Sequence, residues 1–347
     1  SVKRATEVGA VALAVAAGAA TGAVVERLLM RGVFRSLLDE DEPFGSLHSS
    51  PVRVTADDGT RLYAEIDEPD DPAMADITIV FSHGYSLNLD TWHFQRRDLR
   101  GKARLVFWDQ RSHGRSGRAP ADTHTINQLG RDLGRVINEC APTGTLILVG
   151  HSMGGMTIMG LADEQPELFG GRVQGVGLVA TSSGRLSEVT FRLPARAARV
   201  LQGRTDQLAA AMIARAERLD RRRTRTTDLE FLLTKRLSFG GPVSRGQARF
   251  VADLLDSTPI EVVAEYLPEF GRHDKLEALA ALERVQTLVI VGDTDALTPD
   301  SHSREIVRRV PGAELVVLPR SGHMVITERH DEVNARLEEL LATVRSR

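Results

Sequence analysis

The sequence predicts the α/β class: an eight-stranded, mostly parallel sheet flanked by helices and interrupted by a helical insertion. Three observations carry that prediction. Short β-branched apolar runs alternate with helix-compatible stretches along most of the chain. Several runs are apolar at every position, as strands buried on both faces require. The gap between the sixth strand and the seventh, about residues 184–276, is too long for a simple crossover.

Each element follows from a local pattern. Val52–Thr55 and Leu62–Ile66 flank the turn Asp57-Asp58-Gly59 and read as an antiparallel hairpin. Six further runs, Ile77–Phe81, Leu105–Trp108, Leu146–Val149, Val176–Val179, Leu288–Val291 and Leu315–Leu318, are bounded by Gly, Pro or charge. Within the insertion, Leu208, Met212, Ala216 and Leu219 recur at helical spacing, as do Phe250, Val251, Leu254 and Leu255. The organisation expected is therefore an apolar N-terminal segment at 1–38, a linker at 39–50 and a core at 51–183 and 277–347. The helical insertion occupies 184–276.

Composition narrows the function. The 347 residues can bury one large core, and 42% apolar with 26% charged residues is ordinary for a globular chain. A net charge of −3 supplies no field to attract nucleic acid, and no motif for that partner occurs. Cys140 is the only cysteine, which excludes an internal disulfide and a cysteine zinc cluster. No cofactor or metal is expected.

The N-terminus departs from this composition. Residues 8–25 carry no charge and would span about 27 Å as a helix, enough for a thin hydrocarbon core. Gly18 and Gly22 have the spacing that lets helices approach closely in lipid. Membrane association through this helix is the expectation. A cleaved export signal, with Ala17-Gly18-Ala19 as its site, and a helix lying against the core are the alternatives.

The motif that carries chemistry is Gly150-His151-Ser152-Met153-Gly154-Gly155, directly after Leu146–Val149. A nucleophilic serine must stand clear of the sheet on a tight strand-to-helix turn, with small neighbours so that strand and helix can pass. The following helix then aims its N–H groups at a developing oxyanion, with Met153 N–H as the first donor. An inert glycine turn is the plain alternative, and the strand–turn–helix context speaks against it. Ser82-His83-Gly84-Tyr85 follows another strand and offers Tyr85 N–H as the second donor, with Gly84 allowing close approach. His83 is expected to brace that loop, and His151 to be structural.

Two carboxylates follow the strand Leu288–Val291. Asp293 lies nearest it, where an Asx-turn would occupy it, whereas Asp295 can better reach an imidazole. His323, after Leu315–Leu318, completes the chain order Ser, Asp, His. Ser152, Asp295 and His323 are thus the expected catalytic triad.

These residues resemble the α/β-hydrolase family over roughly residues 52–344. The resemblance rests on His83-Gly84, the elbow at Ser152, Asp295 in Gly-Asp-x-Asp-x-x-x-Pro, Gly322-His323, and Asp109-Gln110-Arg111-Ser112-His113-Gly114-Arg115-Ser116. Relatives usually carry Gly where Ser112 stands, which bears on loop packing and substrate access. The resemblance implies that the insertion is a helical lid and that a small acyl substrate is the partner. The cluster Arg215, Arg218, Arg221, Arg222, Arg223 and Arg225 reads as a solvated face, or as a seat for an anionic lipid surface.

Three functions compete. An esterase, lipase or thioesterase would pass through an acyl-enzyme, and the lid and apolar N-terminus favour a lipophilic acyl group. An aminopeptidase or amidase would need carboxylates in the insertion, and Glu217, Asp220, Asp228 and Glu230 cannot be assigned that role. A non-catalytic receptor of the same fold would have no need of all three triad groups. Dehalogenase and epoxide-hydrolase chemistry calls for Asp at the elbow, which Ser152 opposes.

Overall fold

In the computed structural model, residues 42–186, 189, 203–216 and 236–347 are described. The eight strands are β1 Pro51–Thr55, β2 Arg61–Asp67, β3 Ile77–Ser82, β4 Arg104–Asp109, β5 Thr145–His151, β6 Val173–Val179, β7 Gln286–Gly292 and β8 Glu314–Leu318. They form one sheet in the order β1-β2-β4-β3-β5-β6-β7-β8. β1 and β2 are antiparallel to each other, β2 is antiparallel to β4, and the rest run parallel. Every expected strand is present, lengthened by one to three residues at one or both ends.

The described helices are α1 His93–Leu99, α2 Ile126–Cys140, α3 Met153–Glu164, α4 Thr205–Ile213, α5 Arg245–Asp256, α6 Ile260–Arg272, α7 Asp300–Arg309, α8 Val325–Glu328 and α9 His330–Arg345. Alternate residues of the central strands feed two cores. Val80, Val106, Trp108, Leu148 and Leu178 face α2 and α3, while Ile79, Phe81, Phe107, Val149 and Ile290 face the layer that includes α9. Both faces being covered is why these runs carry no polar alternation. α2 and α3 cross at Gly130 and Gly160, where a Cβ on Gly160 would lie 2.5 Å from the Ile126 carbonyl oxygen.

The insertion leaves the core after β6. Its two ends are tied by a bridge between Gly184 and Asp274 and by Lys275 N–H donating to the Ser183 carbonyl at 2.7 Å. α5 starts with a capping box in which Ser244 and Gln247 satisfy each other's backbone N–H groups. Val251 and Leu254 are buried as the spacing predicts. The other expected stripe differs. Leu208 is 41% exposed, and within α4 only Ala209 is buried, so the Leu208–Met212 side does not face the core. Arg215 is exposed. Leu219 and Arg218, Arg221, Arg222, Arg223 and Arg225 lie outside the described residues, as do Glu217, Asp220, Asp228 and Glu230.

The expected N-terminal helix at 1–38 also lies outside the described residues. Among those described, no helix is long and apolar enough to cross a membrane. Residues 42–50, read as linker, are tied to the core instead. Phe44 stacks on Phe250 at 4.9 Å and meets Phe94 edge-on at 5.7 Å. Glu42 lies 2.7 Å from His93 Nε2, and Ser49 N–H donates to Glu65 at 2.9 Å. Glu42, the one acid of this stretch among the described residues, meets His93 and Arg97 of α1.

Candidate active site

The carboxyl edge of the sheet gathers the expected residues. β5 delivers Ser152 onto a turn with φ 52° and ψ −118°, a left-handed conformation that a non-glycine residue holds only under constraint. Ser152 N–H donates to the Val179 carbonyl at 2.9 Å, and Thr181 Oγ1 donates to the Ser152 carbonyl at 2.7 Å. Glycine is required beside it. A Cβ on Gly154 would lie 1.9 Å from the Ser82 carbonyl oxygen, and one on Gly150 would lie 2.4 Å from the Gly154 main chain.

His323 and Asp295 meet Ser152 at this edge. His323 Nε2 stands 2.9 Å from Ser152 Oγ, and its Nδ1 stands 2.9 Å from Asp295 Oδ2. With a carboxylate facing Nδ1, the hydrogen-bond network assigns the proton there and leaves Nε2 an acceptor for the hydroxyl. Asp295 Oδ1 also accepts from Leu297 N–H at 2.8 Å and Thr298 N–H at 2.9 Å, and Oδ2 from Thr298 Oγ1 at 2.9 Å. Burial pushes the Asp295 carboxyl up, but facing His323 and these donors carry it below the ordinary carboxylate value. The Asx-type turn expected at Asp293 is therefore at Asp295. Asp293 instead accepts Ser321 N–H at 3.3 Å.

The expected oxyanion loop adjoins the elbow, because β3 pairs with β5 and Ser82 is opposite Gly150. Gly84 is forced by its neighbour, since a Cβ there would lie 2.8 Å from His151 Nδ1. Met153 N–H is the first of α3, a position with no intrahelical acceptor. Met153 shares an apolar cluster with Met156, Tyr266, Val262, and the half-buried Tyr85, Leu186 and Phe270.

The other histidines brace these loops. His83 Nδ1–H donates to the Gly84 carbonyl at 2.7 Å, and its Nε2 accepts from Gln110 N–H at 3.0 Å. His151 Nε2–H donates to the His323 carbonyl at 2.9 Å. Burial lowers His83 well below the ordinary imidazole value and His151 to about 3, so both are neutral props at neutral pH. Ser112, which stands where the resemblance would put Gly, adopts φ 64°. Its hydroxyl accepts from Ala119 N–H at 2.9 Å and lies 2.9 Å from His124 Nε2, which holds the strained turn.

Three contributors escaped the sequence reading. Thr298 sits inside a quoted motif, but its side-chain contact with Asp295 depends on the fold of the turn. His113 accepts Ser86 N–H through Nε2 at 3.2 Å. Glu328 accepts N–H bonds from Gly240, Gly241 and Gly322, joining the insertion to the His323 loop. Nothing in the local sequence announces Glu328.

This sheet order, with a strained serine at the end of β5 and an imidazole from beyond β8, defines the α/β-hydrolase class. The sequence profile described as the alpha/beta hydrolase family matches residues 79–336, and the chain belongs to that family. It is 26% identical over 273 residues to the dihydrolipoyllysine-residue acetyltransferase component of the acetoin cleaving system of Pseudomonas putida, covering 77% of this chain and 63% of that one. The chain thus spans less than two thirds of that relative's length. To the sn-1-specific diacylglycerol lipase ABHD11 of Mus musculus it is 25% identical, covering 76% of this chain and 80% of that one. A thermophilic esterase from Thermogutta terrifontis shares the fold at TM-score 0.67 and 22% identity, over 85% of this chain and 99% of that structure.

Proposed function

We propose that the chain is a serine hydrolase that cleaves a carboxylic ester or thioester with a lipophilic acyl group. The single observation that carries this reading is the linear relay in which His323 lies 2.9 Å from both Ser152 Oγ and Asp295 Oδ2. Ser152 attacks the acyl carbonyl while His323 Nε2 takes its proton, and Asp295 stabilises the imidazolium. Met153 N–H and Tyr85 N–H receive the oxyanion. His323 then protonates the leaving alcohol or thiol, and a water activated by the same imidazole releases the acid from the acyl-enzyme.

The apolar cluster of Met153, Met156, Tyr85, Leu186 and Phe270 supports a lipophilic group beside the serine. Contact with a membrane through residues 8–25, and a helical insertion acting as lid, belong to the same proposal. An amidase would need a free carboxylate for the substrate amine. Among the described carboxylates of α6, Glu265 is held by Arg118 at 2.6 Å and Glu269 by Ile126 N–H at 2.9 Å, so neither of these two is free for that role.

A fluorophosphonate probe tests the proposal. Labelling of the wild type and none of Ser152→Ala is the expected result. Nitrophenyl esters of increasing chain length should turn over well ahead of aminoacyl anilides. Equal labelling of Ser152→Ala would refute Ser152 as the nucleophile, and faster cleavage of the anilides would replace the esterase by an amidase.

A further inference from the structure

We infer that helix α6 of the insertion sets the position of the oxyanion loop through the Tyr85 side chain, making Tyr85 a positioning residue as well as the source of a backbone donor. This rests on the serine-hydrolase reading above. The Tyr85 main chain belongs to the loop after β3, while its phenol O–H donates to the main-chain carbonyl of Val263 in α6. Helix carbonyls are ordinarily satisfied four residues on. Pro268 lies inside α6 and supplies no N–H to the Ala264 carbonyl, one residue on from Val263. The Val263 carbonyl has a second lone pair, and the phenol O–H takes it.

The tyrosine ring is seated by its neighbours. It meets Phe270 of α6 edge-on at 4.8 Å and Tyr266 at 6.3 Å. α6 is itself clamped to the core: Tyr266 stacks on His124 at 4.5 Å, and Glu265 lies 2.6 Å from Arg118 and 2.9 Å from His124 Nδ1. His124 in turn contacts the Ser112 hydroxyl at 2.9 Å. The helix is a strut fixed at two points.

The loop needs such a strut. Ser86, directly after Tyr85, has φ 58°, a conformation that persists only where the surroundings over-determine it. His113 supplies one constraint by accepting Ser86 N–H at 3.2 Å. The phenol supplies the other through Val263 of α6. An oxyanion donor displaced by a fraction of an ångström keeps its N–H but loses its aim. The segment that walls the acyl site therefore also tunes the chemistry.

Tyr85→Phe removes the hydroxyl and keeps both the ring and the backbone N–H. On a nitrophenyl butyrate ester, kcat should fall about tenfold, less than the roughly hundredfold cost of deleting such a donor, with KM within twofold. The inhibition constant of an alkyl trifluoromethyl ketone, whose adduct places an oxyanion in the hole, should rise in the same proportion. That of the matching carbinol should not change. Glu265→Gln, which loosens α6 without touching Tyr85, should weaken the ketone in the same direction. If kcat and ketone affinity of Tyr85→Phe both stay within twofold of wild type, or ketone and carbinol weaken alike, the strut is refuted. Ser152→Ala separates the two claims. Turnover by that variant sinks the serine-hydrolase reading, whereas an inert Ser152→Ala beside an unaltered Tyr85→Phe sinks this inference alone.

Discussion

Asp295 is the residue through which the site is most finely adjusted. It accepts two backbone N–H groups, the Thr298 hydroxyl and His323, and Thr298 Oγ1 lies 3.3 Å from His323 Nδ1 as well. Thr298→Val keeps the shape and deletes one donor to a charged acceptor. kcat/KM on the nitrophenyl ester should fall about tenfold, the scale of one such hydrogen bond. Thr298→Ser should restore most of it, and a valine variant as fast as wild type would remove the hydroxyl from the relay. The meeting of Ser152, Asp295 and His323 was legible because each stands just past a strand, at the carboxyl edge of one sheet. Thr298, His113 and Glu328 were not, because their partners come from turns and from distant segments that no local pattern encodes.

Among the elements, the strands were readable for a physical reason. Burial on both faces removes every polar position, so each run stood out from its surroundings. The sheet order was not, since β4 lies between β2 and β3 by virtue of the crossovers rather than of its own residues. Nor was the docking of residues 42–50, which depends on His93 and Phe250 arriving from elsewhere. The exposure of Leu208 shows the limit of periodicity, which locates a helix but does not say which face is covered. The α2–α3 crossing gives a test at this scale. At Gly160 a methyl group would meet backbone, the Ile126 carbonyl oxygen at 2.5 Å, so the helices must separate to admit it. Gly160→Ala should destabilise by about 2 kcal/mol or more, although alanine is the better helix former. Urea denaturation reads the change, and a variant more stable than wild type would mean the contact is loose.

For the whole molecule, the buried histidines set the response to acid. Burial lowers His113 and His273 to about 4, His124 and His151 to about 3, and His83 well below its ordinary value. In the unfolded chain each regains a value near about 6.5. Their folded values are depressed, so as pH falls below 6.5 the unfolded state takes up protons that the folded state refuses, and stability drops until the folded values are reached. Asp109 acts in the opposite sense. Burial raises it to about 7, against the pull of Arg115 and Leu89 N–H groups, so the folded state already holds its proton at pH 5. Burial also raises Asp132 and Glu328, which act like Asp109, but the five imidazoles outweigh these carboxyls, and unfolding at pH 5 should take up about two protons or more, a slope of at least about 3 kcal/mol per pH unit. Asp58 and Asp67, held near about 2 by Arg111 and by Arg96 against the upward push of burial, add their loss only below pH 4. Urea midpoints between pH 7 and 5 measure the slope, and His124→Asn should lower it by about one proton. A stability that stays flat from pH 7 to 5 would mean that these rings charge in the folded state, and the neutral props assigned to the loops after β3 and β8 would have to be given up.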